Sequence, residues 1–229
     1  MQRVELRCVN NNTLHEVVVG SSLLDILPKM GFEHQLPMLV ARVNNRYKDL
    51  SYKVYKPITV EFLDMSHYEG YRVYQRTLSF VLQMASTELL REHKLRIRHS
   101  LGDGFYAEFD DGYQMSDTDI ACLRKRMAEI VELALPIRRE KRLAEEVAAE
   151  YHKYGFDDRI ELLDTRPHLY RTINFMGDMP GYFYGALAPS SAYVAKFDIA
   201  RYYNGIYVAL PSRTAPDEVN TNIHLDKMF

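Results

Sequence analysis

The stretch that most constrains this chain is residues 71–109, where the hydrophobic period changes part-way along. Val73, Thr77, Phe80, Val81, Met84, Ala85 and Leu89 recur at the spacing of one helix face, which predicts a long helix with one side buried. Leu95, Ile97, Phe105, Ala107 and Phe109 instead alternate with polar residues, which predicts two half-buried strands on either side of a Gly102-Asp103-Gly104 turn. A helix leading into a hairpin has one economical solution: the apolar face of the helix packs on a sheet.

The flanking sequence predicts the rest of an α+β chain. Val4, Leu6 and Cys8, then residues 15–19, suit paired strands around the polar Asn10-Asn11-Asn12 turn. Residues 20–27 read as a short Ser-capped helix, and residues 38–43, Tyr47 and residues 58–63 as further strands. That order is a ubiquitin-like β-grasp over residues 1–64. Further on, Ser116-Asp117-Thr118-Asp119 is an N-cap signal for a helix reaching about Leu133, ended by Leu135-Pro136. A second helix is expected from Lys141 to about Tyr154, closed by Gly155. Residues 170–176, 182–187, 193–199 and 206–210 are rich in aromatic and β-branched residues and predict strands. The expectation is a β-grasp domain, an α+β domain over residues 65–211 with helices packed on an antiparallel sheet, and a polar tail or linker over residues 212–229.

With 229 residues and 47% hydrophobic content the chain can bury a sizeable core. No apolar run approaches the ~20 residues that span a bilayer, and MQRVELRCVNNN has no signal-peptide core, so a cytoplasmic protein without a membrane partner is expected. Cys8 and Cys122 make no disulfide framework. A formal charge of −2 argues against a strongly basic nucleic-acid binder and leaves only local basic patches.

Residues 88–106, from Glu88-Leu89 to Gly104-Phe105-Tyr106, resemble without a gap the second domain of threonyl-tRNA synthetases, shared with alanyl-tRNA synthetases. In that family the domain is an editing hydrolase, with HxxxH on its helix and CxxxH on a later strand holding zinc and lining the site that cleaves misacylated tRNA. Two imidazoles four residues apart share a helix face, and a Cys and a His complete a tetrahedral shell. The resemblance places Arg76 and Phe80 at the two histidine positions, and Tyr202 and Ile206 at CxxxH; none is an ordinary zinc ligand, so no metal is expected. Residues 1–64 resemble the TGS domain that begins threonyl-tRNA synthetases, through Val40-Ala41-Arg42-Val43-Asn44-Asn45 and Glu61-Phe62-Leu63.

The remaining candidates gather around that degenerate site. Arg76, Phe80, His99, Tyr106, Tyr202 and Tyr203 are read as a pocket with an aromatic wall and a cation, suited to a base or an anion. His99 and Asp103 are read either as an acid–base or hydroxyl-binding pair or as a strand end and a turn residue. The basic runs Arg124-Lys125-Arg126 and Arg138-Arg139 are interleaved with acids and read as solvated faces.

Together with Arg98-His99-Ser100-Leu101-Gly102-Asp103-Gly104, Lys196-Phe197-Asp198 and Tyr202-Tyr203-Asn204-Gly205-Ile206, these units resemble the N-terminal half of bacterial uridine kinase-type nucleoside kinases. The resemblance implies a noncatalytic regulatory or ligand-binding module, with a nucleoside, nucleotide or RNA as ligand, that precedes a P-loop kinase domain using ATP and magnesium. The sequence contains no GxxxxGK[ST], so that kinase domain would be a covalently linked partner, and ATP and magnesium would be its cofactors alone. Two alternatives stay open: a zinc-dependent trans-editing hydrolase of mischarged tRNA, and an RNA-binding module working through the TGS-like sheet.

Overall fold

The computed structural model describes residues 2–164 and 168–221 and is α+β. The chain opens with the hairpin β1 (Arg3–Cys8) and β2 (Thr13–Val18), whose turn includes Asn12 at φ 55°. Helix α1 (Leu23–Ile26) starts in a capping box in which Ser22 accepts from the Asp25 N–H and Asp25 caps in return. Strands β3 (Val40–Val43), β4 (Arg46–Lys48) and β5 (Ile58–Leu63) complete a sheet of order β2-β1-β5-β3-β4, with β1 parallel to β5. Leu23 and Ile26 of α1 bury against Leu6, Cys8 and Val60 of the sheet, the β-grasp arrangement. Cys8 is buried, whereas Cys122 is exposed.

Helix α2 (Tyr68–Leu89) follows through a tied turn rather than a loose linker: the Asp64 carboxylate accepts from both the N–H and the hydroxyl of Ser66, and His67 caps the helix. Leu39, Val40, Leu63 and Met65 share one apolar cluster with α2, so the junction is packed. Strands β6 (Leu95–Leu101) and β7 (Gly104–Phe109) form the predicted hairpin. Helix α3 (Asp117–Glu132) then begins at Ser116, whose Oγ accepts from the Asp119 N–H while Asp119 accepts from the Ser116 N–H and hydroxyl. Those bonds, with a further one from the Tyr113 hydroxyl, hold the Asp119 carboxyl below its usual range.

Ser116→Ala is expected to cost about 1 kcal/mol at neutral pH. Because the folded-state pKa of Asp119 is lowered, its contribution is present above the unfolded value and lost as pH falls through the folded one. The gap between the variant and the parent should therefore narrow below about pH 4. Urea denaturation at pH 7 and pH 3 checks this.

The next segment departs from expectation. Residues 137–143 are not a loop and a helix start but strand β8 (Ile137–Leu143), and helix α4 (Ala144–Lys153) begins only afterwards. A short helix α5 (Asp157–Asp164), unread in the sequence, comes next, then β9 (Tyr170–Met176) and β10 (Met179–Gly181). The cause is a nonlocal ladder: all seven residues of β8 pair with β9, from Ile137 opposite Met176 to Leu143 opposite Tyr170. That pairing overrides the helix preference of an Arg-Glu-Lys run.

Residues 182–187 are likewise not a strand; they cross α2 as irregular chain. Residues 193–199 contain the end of a 3₁₀ turn (Ser191–Val194) and only the first residues of β11 (Asp198–Tyr202), which pairs with β12 (Gly205–Ala209). In place of one antiparallel sheet there are two, ordered β11-β12-β7-β6 and β10-β9-β8. The first packs α2 and α3 against Phe105, Ala107, Ile206 and Val208, and the second packs α4 and α5 through Val147, Tyr151, Leu163 and Ile173.

Of the expected tail, the described part is tied to the body: Pro211 bridges to Val219, and Lys196 pairs with Asp217. Residues 222–229 lie outside the described residues. Among the described residues no helix is long and apolar enough to cross a membrane.

Candidate functional site: a filled groove on α2 and the cleft beside it

Arg76 and Phe80 project one turn apart from the same side of α2, and both are already engaged. The Arg76 guanidinium donates from Nη2 to Glu69 Oε1 at 2.7 Å and from Nε to the Ala186 carbonyl at 3.0 Å. Phe80 is fully buried, its ring 4.9 Å from that of Phe183. Between them, Thr77 Oγ1 accepts from the Ala188 N–H at 3.0 Å and donates to the Val73 carbonyl at 2.8 Å.

From the end of β10 at Gly181 through the irregular residues 182–188, the chain is thus a strap laid along α2. A Cβ at Gly181 would stand 2.6 Å from Phe80 Cζ, so the ring occupies the space a side chain would need. Gly185 has φ +97°, and a Cβ there would meet the Arg76 guanidinium carbon at 3.0 Å, so both backbone shape and space call for glycine. From the β-grasp side, Asp49 Oδ1 accepts from the Leu187 N–H at 2.9 Å, and its other oxygen pairs with Arg139 at 3.0 Å.

The expected pocket does not gather in one place. Along β6, β7, β11 and β12, side chains alternate between the two faces of the sheet. Phe105, Ala107, Ile206 and Val208 turn toward the helices, whereas Leu101, Tyr207 and Ala209, with Tyr202 against them, form a separate cluster on the far face. Tyr106 and Tyr202 meet there, ring centres 6.1 Å apart, with His99 5.5 Å from Tyr106. Tyr106 donates its hydroxyl to Glu108 at 2.7 Å, and burial, followed by this bond, raises its pKa. Tyr203 is exposed in the β11–β12 turn at φ 47°.

The sheet therefore stands between Arg76 and Phe80 on one side and His99, Tyr106 and Tyr202 on the other. Asp103 sits in the β6–β7 turn, its carbonyl accepting from the Leu210 N–H at 2.8 Å, and its charge helps push the Tyr71 phenol up to about 12, after burial as the main cause.

Tyr202 and Ile206 also part company, since Tyr202 lies on the far face and Ile206 is buried in the helix-side core. What stands opposite Arg76 and Phe80 is the strap itself, the Ala186 carbonyl and Gly185 at Arg76 and the Phe183 ring at Phe80. Its sequence signal is faint: two glycines, Gly181 and Gly185, four residues apart. Among the described residues no three of His, Cys, Asp and Glu are grouped to hold a metal ion.

Beyond Phe183 the groove opens into a cleft of ≈ 600 Å³ between α2, the edge strand β6 and the α4–α5 corner. Gln83, Lys94, Tyr154, Phe156, Arg159 and Tyr182 are among its walls, and none of them was a site candidate in the sequence. The Arg159 guanidinium carbon lies 4.1 Å from the centre of the Phe156 ring. Burial pushes its pKa below the ordinary arginine value, partly offset by Tyr151 and Asp158.

No family model matches the chain. Individual proteins do: it is 29% identical to the threonine–tRNA ligase of Rubrobacter xylanophilus over 184 residues, which is 80% of this chain and 28% of that protein. It is 27% identical to that of Symbiobacterium thermophilum over 157 residues, covering 69% of this chain and 24% of the relative. Over most of its length, this chain is similar to threonine–tRNA ligases. It spans about a quarter of the length of those relatives.

Proposed function

We propose that residues 1–64 are a TGS-type unit and residues 65–211 a degenerate editing-type domain, together the noncatalytic, ligand-binding N-terminal module of a uridine kinase-type nucleoside kinase. In this reading ATP and magnesium belong to a P-loop domain outside this chain. The observation that carries the noncatalytic part is the filled groove on α2. A hydrolytic zinc needs three protein ligands and an open position. The groove instead presents the guanidinium of Arg76, which has donors and no acceptor, and the hydrocarbon rings of Phe80 and Phe183. The strap closes the same groove from above, at Arg76, Thr77 and Phe80. What stays open for a ligand is the neighbouring cleft.

Two measurements test the reading. Purified protein is expected to carry no stoichiometric zinc by elemental analysis and to hydrolyse mischarged threonine or alanine tRNA no faster than buffer. Zinc-dependent hydrolysis would instead establish the trans-editing alternative. Mass spectrometry of the native gene product is expected to find this sequence in a protein well above 26.8 kDa whose peptides include GxxxxGK[ST]. A native product of this mass alone would end the kinase assignment.

A further inference from the structure

The cleft beside the strap carries a charge the rest of the chain does not. Among the described residues its walls include five arginine and lysine side chains, two histidines and one acid, Asp158, in a protein of formal charge −2. Asp158 is taken by Arg96 at 3.0 Å, and Lys153 is held by Glu150 at 3.0 Å. Arg91, Lys94 and Arg159 have no carboxylate partner among the described residues. Such a basic cleft between protein walls concentrates anions.

Two donors in the walls sharpen the ligand class. Arg159 Nη1 and Gln83 Nε2 are both withdrawn from water, and neither has a hydrogen-bond acceptor among the described residues. A buried donor without an acceptor is costly, and an acceptor brought in by a ligand relieves that cost. With its face on Phe156, the Arg159 guanidinium can still donate through its edge, where phosphate oxygens bind. Tyr154 and Phe156 stack with ring centres 6.0 Å apart, and Tyr182 and Phe183 add flat apolar surface. Cations, an amide and aromatic walls in ≈ 600 Å³ match one small ligand that joins an anion to a planar ring.

We infer that this cleft binds a nucleoside phosphate, with Arg159 and Lys94 on the phosphate, the aromatic walls on the base and Gln83 on a polar edge of the nucleoside. The inference rests on the ligand-binding reading above and names the ligand class for it. A free nucleotide is favoured over an RNA strand because Phe183, packed on Phe80, closes the cleft toward the strap, and the overall charge is negative.

Isothermal titration of the full chain with UMP, uridine, AMP and a short ribonucleotide ending in CCA tests it. UMP or AMP is expected to bind at least about tenfold more tightly than uridine. Arg159→Gln should remove most of that difference. Lys94→Ala, at an exposed position, should weaken the nucleotide about threefold while uridine, which has no phosphate for Lys94 to meet, binds as to the parent. No binding of either nucleotide at millimolar concentration would overturn the inference, as would equal binding to the parent and to Lys94→Ala. Binding of the ribonucleotide more than about a hundredfold tighter than UMP would also overturn it, in favour of an RNA strand. The outcomes separate from those above: a zinc-free protein without hydrolase activity that ignores UMP loses this inference alone.

Discussion

Gly70→Ala is expected to destabilise the chain by at least about 3 kcal/mol and to be recovered largely unfolded. Gly70 lies in the first turn of α2, and a Cβ there would stand 1.8 Å from the Asp64 carbonyl oxygen and 2.6 Å from its carbon. Neither atom can swing away as a flexible side chain would. The Asp64 carbonyl accepts from the His67 N–H at 3.3 Å, and its carboxylate is bound twice by Ser66. Relief would require moving the start of α2 off the link, and with it the packing of Leu63 and Met65 on the helix. Far-UV circular dichroism and urea denaturation measure the loss. A variant with an unchanged midpoint would mean that the helix start is not pressed against Asp64.

The second large effect is expected at the filled groove. Phe80→Ala should cost about 3–5 kcal/mol, since a fully buried ring is removed and its cavity lies against Gly181, which has no side chain to collapse into it. For a chain of this size that is a fall of roughly 6–20 °C in thermal midpoint. Phe80→Leu, which keeps most of the volume, should cost less than about 1.5 kcal/mol. A small loss in Phe80→Ala would show that the strap does not depend on the ring, and it would remove the physical argument that the groove is structurally plugged.

These two sites also mark how far the residues alone could be read. The α2 helix, the β6–β7 hairpin, the Ser22 and Ser116 caps and the β-grasp order were legible because each signal is local. Periodicity declares a helix face, and a serine three residues before an acid declares a start, wherever the segment later packs. Arg76 and Phe80, placed at the family's two histidine positions by the resemblance, share a face of α2 because residues four apart on a helix do.

What faces that pair was not legible. Nothing within residues 137–143 announces a strand; β9, more than twenty residues further along, makes it one. Tyr202 and Ile206 satisfy a four-residue spacing on paper, but the β11–β12 hairpin turns them to opposite faces of a sheet. The strap that actually meets α2 has no regular structure and so no period to detect.

The cleft follows the same rule. Gln83, Lys94, Phe156 and Arg159 come from three separate segments, and each is unremarkable in its own neighbourhood. Short-range chemistry therefore set the capped helices and the β6–β7 hairpin, whereas β8 depended on its pairing with β9. Long-range pairing set which faces meet, and through them the closed groove, the split of the aromatic cluster and the basic cleft, because alternation across a sheet and contact between distant segments exist only once the chain is folded.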